Sequence, residues 1–405
     1  MSEGRLKSME VLHINHSSIV VESPSGVRVL VDPWLVTPAF GAWIPDPHTT
    51  ATLGRGLLKP SSFDAIAISH AHDDHLDDFF IQHNRDNKPI LVPDIRSRGL
   101  SRRLEKFSGT NIVLIGESGV SFGDLKVQAL GNTSFTSDDA LLVFSDSSDV
   151  VIHANDNWRV YDENIIAKLK TAISNAELGT VSFLVQFGIA DAFPWFYPNI
   201  SDELCNELIV KRFAEYELNI SKNLASLGLE ICYTYANQSR YDESMSRSNP
   251  SIKAIREQFL EKNASKFFQL SPATKISSGF GLVKPSSLED KGESFFEHLL
   301  ANLNKHAVTY VENKIGNEYP FVFKISGADE LLFDLSFSMV VFSASARVWS
   351  EILIGKQTIE SITIGGSGYI YKPESWNISD LHKALTSWGY FAQSRLTVDG
   401  WSWLC

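Results

Sequence analysis

The stretch AISHAHDDHLDD, residues 67–78, sets His70, His72, Asp73, Asp74 and His75 within six positions, directly after the apolar run FDAIAIS. Polar groups crowded at a strand end are costly to bury unless something binds them. Imidazole and carboxylate together suit zinc, iron or manganese. His70 and His72 lie two apart, so on extended backbone they point the same way. Asp74 and His75 then turn toward a second position, where they either hold another ion or act as acid and base. The bland alternative is a polar loop with histidines placed by chance.

Elements able to carry such a cluster are legible on both sides of it. Residues 9–31 alternate as two strands, EVLHINHSSIVVES and VRVLVD, joined at the turn PSG. Residues 36–60 are rich in Pro and Gly and read as a long loop. FDAIAIS suits a buried strand, and HLDDFFIQHNR opens a helix. Strands follow at PILVP, NIVLIG, LKVQAL, ALLVF, DVVIHAND, VSFLVQFG and LEICYTYA. Helices are expected over SRGLSRRLEKF, 161–178, Asp202 to about Leu227, and near 251–268. SPATKISSGFGLV reads as the exit from this unit. Beyond residue 285 the pattern changes to a helical ESFFEHLLANLNKH, strand-like FVFKI and LLFDLSF, and a short helix near ASARVWSEILIG. The expected organisation is a layered α/β domain over 9–284 and a smaller α+β domain over 285–405.

The pattern H-x-H-x-D-H after a strand resembles the metallo-β-lactamase superfamily. That resemblance implies an αββα sandwich with metals at one edge and a ligand set of His70, His72, Asp74, His75 and Asp156. Asp156, ending VVIHAND, stands where the family keeps a metal-bridging aspartate. Asp32, ending VLVD, stands where it keeps an aspartate that orients the liganding histidines. His16, in NHSS, matches the G-H-[ST] strand of phospholipase-type members and is expected just behind the ligands. Two family ligands are missing. No histidine occurs in LGNTSFTSDD, and none between His153 and His298. Asn132, Asn237 or water are the candidate substitutes. His153 is a further candidate, although alternation puts it on the face opposite Asp156 and favours a structural role. With both terminal histidines gone, His70, His72 and Asp156 form a two-histidine, one-carboxylate set, the pattern of non-haem iron oxygenases.

Longer stretches resemble the catalytic portion of the CMP-N-acetylneuraminate hydroxylase family, from LVDPWLVTPAFGAW through QFGIADAFPWFY to SEILIGKQTIESITIGG. That family carries a Rieske domain. This chain has three cysteines, Cys205, Cys232 and Cys405, with no CxxC pair, so no iron–sulfur cluster is expected within it. The resemblance therefore implies one or two divalent ions, iron favoured over zinc or manganese, and electrons from a separate donor protein. N-acyl-phosphatidylethanolamine phospholipase D-type zinc hydrolases are an alternative resemblance.

The segment around Asp191, Phe193 and Trp195, with Trp34 and Trp43, is the candidate substrate pocket; an ordinary core is its bland reading. Arg96, Arg98, Arg102 and Arg103 read as a phosphate site or, more simply, a solvated helix face. A net charge of -12 argues against a nucleic-acid partner. No signal-like segment and no run near 18 apolar residues is present, so a cytoplasmic protein without a membrane span is expected. The functional expectation is an oxygenase acting on a small polar or nucleotide-like metabolite. A metal-dependent hydrolase of a phosphodiester, amide or lactone is the alternative, and a non-catalytic scaffold the second.

Overall fold

The region expected as two strands folds as three. In the computed structural model the first strand turns back at His16–Ser17. No glycine marks this turn; His16 itself takes the left-handed conformation at φ 46°, which His enters more readily than most residues. The structure describes residues 8–35, 37–40, 43–45, 62–84, 88–95, 99–105, 107, 109–131, 139–176, 180–188, 193–198, 200–237, 239–241, 249–277, 323–326, 330–335, 340–345 and 368–371.

In chain order the elements begin β1 (Glu10–Asn15), β2 (Ser18–Glu22), β3 (Arg28–Val31), β4 (Trp43–Pro45), β5 (Ala65–Ala67), α1 (Asp78–Asn84), β6 (Pro89–Pro93), α2 (Gly99–Glu105), β7 (Asn111–Ile115), β8 (Val120–Phe122), β9 (Leu125–Gly131), β10 (Ala140–Ser145) and β11 (Asp149–Asn155). They continue α3 (Glu163–Ser174), β12 (Thr180–Gln186), α4 (Asp202–Leu227), β13 (Cys232–Tyr235), β14 (Ser239–Tyr241), α5 (Asn249–Lys262), β15 (Phe267–Gln269) and β16 (Lys275–Ser277). Last come β17 (Phe323–Ser326), β18 (Glu330–Leu335), β19 (Val340–Ser345) and β20 (Gly368–Tyr371).

Two seven-stranded sheets result, ordered β16-β1-β2-β3-β5-β6-β7 and β15-β13-β12-β11-β10-β9-β8. Side-chain alternation sorts the apolar residues into layers. Val11, Val21, Val29 and Val31 of the first sheet meet Val127, Leu142, Phe144 and Leu184 of the second. The opposite face of the first sheet packs on Phe80 and Ile81 of α1 and Leu100 and Leu104 of α2. The opposite face of the second packs on Leu169 of α3, Phe213 and Tyr216 of α4 and Ile255 of α5. This is the αββα sandwich of the metallo-β-lactamase fold, with an additional C-terminal region. Each fully buried Val, Leu or Phe in these layers contributes about 1.5–3 kcal/mol of transfer free energy.

Caps set the helix limits. Asp162 accepts a hydrogen bond from the Ile165 N–H and starts α3. Ser201 does the same for the Leu204 N–H, and the left-handed Gly228 ends α4 where the sequence places its end. SPATKISSGFGLV is not a simple exit: Lys275–Ser277 returns to pair antiparallel with β1. In the C-terminal region β17 to β20 form a four-stranded antiparallel sheet. Val340–Ser345 is a strand where a helix near 344–355 was expected to begin. The expected boundary at 284/285 and the helix 293–306 lie outside the described residues.

At the carboxyl ends of β3, β5, β11 and β13 the apolar layer between the sheets gives way to buried polar side chains, among them Asp32, Ser69, His153 and Asn155. His16, Asp32, Asn155 and Ala236 all hold left-handed backbone here. Such strain persists only where surrounding structure enforces it, and it gathers at functional sites.

Candidate metal centre

Asp32 is the hub. Its Oδ1 accepts from the Ser69 N–H at 2.7 Å; its Oδ2 accepts from the Ser69 hydroxyl at 2.8 Å, His75 Nδ1 at 3.0 Å and His153 Nε2 at 2.8 Å. Ser69 Oγ, its own proton given to Asp32, lies 3.0 Å from His70 Nδ1 and can accept from it. One buried carboxylate thus fixes which nitrogen of His75, and through Ser69 of His70, is left to face outward.

The outward nitrogens converge on Asp156. One ring nitrogen each of His70 and His75 and a carboxylate oxygen of Asp156 lie within 4.8 Å of one another. His70 Nε2 is 3.7 Å from Asp156 Oδ2 and 2.8 Å from His72 Nδ1. His75 Nε2 is 3.6 Å from Asp156 Oδ1 and 3.3 Å from Asp74 Oδ2. The site therefore has two halves, His70 with His72 and Asp74 with His75, each facing a different oxygen of Asp156. The tightest triple contains His75 where the sequence suggested His72.

Electrostatics explain why this assembly needs a cation. Burial pushes the Asp32 carboxyl up, but the charge of His75 and the bonds from His153 and His75 outweigh it and hold Asp32 well below the usual carboxylate range. Burial also opposes ionisation of Asp74 and Asp156, and His75 overcomes it in both. His75 is the counterpart: burial lowers its pKa, yet the charges of Asp74, Asp156 and Asp32 raise it well above the ordinary value. His70 goes the other way, lowered by burial and by the charges of His75 and His72. The charges of Asp74, Asp156 and Asp32 thus favour a proton on His75 while no metal is bound. His72 Nε2, His75 Nε2, Asp74 Oδ1 and Asp156 Oδ1 are buried without a hydrogen-bond partner. Buried nitrogen and carboxylate oxygen atoms left without a hydrogen-bond partner fit divalent-metal binding.

The loop carrying the histidines is braced by residues that sequence reasoning assigned elsewhere. Arg103 on α2, read as part of a solvated face or a phosphate site, is drawn inward. Its Nη1 lies 2.8 Å from Asp73 Oδ1 and 2.6 Å from the Ala71 carbonyl, and its Nε 2.9 Å from Asp78 Oδ1. Asp73 also accepts the Phe40 N–H at 3.0 Å, and Asp77 accepts the N–H groups of Leu35 and Thr37. The aspartates beside the histidines therefore tie this loop to the one after Asp32. Asp139 was not nominated either; its Oδ1 lies 3.5 Å from His70 Nδ1.

His153 is corrected as a candidate ligand. Its Nε2 donates to Asp32, and its Nδ1 is 2.9 Å from the Tyr235 hydroxyl, so both ring nitrogens are engaged. It lies beneath the site rather than on the face opposite Asp156, because the pairing register breaks between His153 and Asn155. His16 reaches the expected place, its Nε2 3.3 Å from Asp74 Oδ2. Trp34 and Trp43 do come to the site, but as buried walls: their rings lie 5.1 and 6.3 Å from that of His16. Phe193 and Trp195 are buried in the core under the helices, the bland reading of that segment. Asn237 follows β13, its carbonyl accepting from Arg256. Asn132, Asp191, Arg96 and Arg98, and the side chain of Arg102, lie outside the described residues.

Residues 10–153 match the family model for a beta-lactamase superfamily domain. A Rieske 2Fe-2S iron-sulfur protein, by name, of Mycolicibacterium smegmatis is 31% identical over 159 residues, which cover 36% of this chain and 30% of that protein. A UPF0173 metal-dependent hydrolase of Myxococcus xanthus is 31% identical over 67 residues, 16% of this chain and 19% of its own length. The chain thus spans a third or less of each of these relatives. Among solved structures, the diiron beta-hydroxylase CmlA of Streptomyces venezuelae aligns at 16% identity over 68% of this chain and 55% of its own, with a TM-score of 0.40. The metallo-beta-lactamase fold protein YhfI of Bacillus subtilis aligns at 13% over 67% of this chain and all of its own, with a TM-score of 0.41. Among the described residues no helix is long and apolar enough to cross a membrane.

Proposed function

We propose that this chain is a non-haem iron oxygenase of a small polar or nucleotide-like metabolite, supplied with electrons by a separate iron–sulfur protein. The observation that carries the metal centre is Asp156, whose two oxygens face His70 and His75 separately. In this reading His70, His72, Asp74, His75 and Asp156 hold the metal, and Asp32 aligns His70 and His75. Bound iron supplies the oxygen chemistry; the protein's part is to fix the donors and leave coordination positions open. Two features favour iron. The segments that complete a zinc site in the superfamily carry no histidine here. The mycobacterial relatives that match part of this chain are named for a Rieske cluster, while these 405 residues lack its ligands.

The second reading is a zinc or manganese hydrolase. It is favoured by the intact H-x-H-x-D-H set and by the name of the Myxococcus relative. Two ions sharing a carboxylate are suited to generating hydroxide and polarising an ester or lactone. One experiment separates the readings. Iron-loaded protein, given a reduced 2Fe–2S donor and a small-molecule cell extract, is expected to consume oxygen, with the uptake abolished by His70→Ala. Metal-dependent cleavage of a diester, amide or lactone under strict anaerobiosis, with no oxygen uptake, would replace the first reading with the second.

A further inference from the structure

We infer that His16 is a metal ligand and supplies the terminal imidazole of the Asp74–His75 half. This rests on the metal-centre reading above. The superfamily pattern places a late histidine after the strand that is β13 here, and this chain has Ala236 and Asn237 there. The hairpin tip fills that space from the other sheet: the His16 carbonyl accepts the Ala236 N–H at 3.0 Å, so His16 is fastened to the backbone where the late ligand would start.

Its imidazole is aimed at the site. His16 Nε2 lies 3.3 Å from Asp74 Oδ2, and His75 Nε2 lies 3.3 Å from the same oxygen. Two donors on one tetrahedral ion with bonds of about 2.1 Å stand roughly 3.4 Å apart, so each pair has the spacing of shared ligands. The ring is fully buried, edge-on to Trp34 at 5.1 Å, and 6.4 Å from the ring of His75. Left-handed backbone at φ 46° in a residue with a Cβ is strain kept at this tip. A ligand role gives that strain a purpose; holding Asp74 alone would ask only for a hydrogen-bond donor.

The two roles differ in how many imidazoles touch the ions. In Co2+-substituted protein, each liganding histidine retains one ring N–H that gives a strongly shifted, exchangeable proton NMR signal. Saturated native protein is expected to show such signals from His16, His70, His72 and His75. His16→Asn, a side chain that tolerates left-handed backbone, is expected to remove one of them and to weaken uptake of the second ion by about 10-fold or more. Three signals in the native protein, or an unchanged count in the variant, would overturn the assignment while leaving the metal centre standing. Failure to take up any Co2+ would overturn both. If His16→Asn does not fold, the native count alone decides.

Discussion

The two sheets contribute to the site unequally. The first brings Asp32, His70, His72, Asp74 and His75, with His16 at its hairpin tip, and encloses them in braces: Asp73, Asp77 and Asp78 tie the loop to Arg103 and to the backbone after Asp32. The second brings Asp156 to the metal-facing layer and His153 and Tyr235 beneath it. The superfamily pattern expects the second sheet to carry two more histidines. Among the described residues, most of the candidate donors and all of these braces come from the first sheet, while the second adds Asp156, with Asn155 and Asp139 beside His70.

Asp156, the carboxylate that the second sheet sets against both halves, is the most sensitive point of that asymmetry. Asp156→Ala is expected to abolish uptake at both halves and reduce any activity to background, read by metal analysis of dialysed protein. Loss of one ion with the other retained would mean that the halves are independent. Next comes the hub. Asp32→Ala leaves the Ser69 hydroxyl, His75 and His153 without their acceptor. It is expected to cost about 3–5 kcal/mol of stability and about 10–100-fold in metal affinity, measured by denaturant unfolding and metal titration.

Arg103→Met tests the braces without touching a ligand. Stranding Asp73 and Asp78 is expected to cost about 3 kcal/mol or somewhat more, with metal stoichiometry unchanged. A near-zero cost in unfolding experiments would show that the loop is held by its backbone alone.

The smallest effect is that of pH. The His75 pKa is raised in the folded protein, so its contribution to metal-free stability is full below about pH 6.5 and is lost as pH rises through the folded value. Asp32, Asp74 and Asp156 are lowered, so theirs is present above about pH 4 and lost on acidification. Metal must displace the His75 proton, so affinity is expected to rise with pH as metal-free stability falls. Isothermal titration in buffers of different ionisation enthalpy would count the proton released. Zero protons released near pH 7 would contradict the charge balance drawn for His75.

The histidine motif was legible from its local spacing, and Asp32 and Asp156 from the resemblance to the metallo-β-lactamase superfamily, which places an aspartate at each of those strand ends. PILVP and Asp202–Leu227 were legible as elements because an apolar run and clear caps bound them. What escaped depends on contacts between distant segments. Arg103 looks like surface charge until Asp73 and Asp78 face it. The hairpin at His16–Ser17 has no Gly or Pro to mark it and depends on left-handed backbone at His16. The three-residue strands β8, β15 and β16 are too short for a period to show. His153 and Asp156 were separated by an alternation that the register break at Asn155 interrupts.

The most direct test of the metal centre is elemental mass spectrometry of the native protein beside Asp156→Ala, both saturated with Fe2+ under anaerobic conditions and then freed of excess metal. Two ions per native chain and none in the variant would match a centre in which both halves share Asp156. Well-folded native protein holding no ion, or a variant holding as much as the native chain, would contradict it.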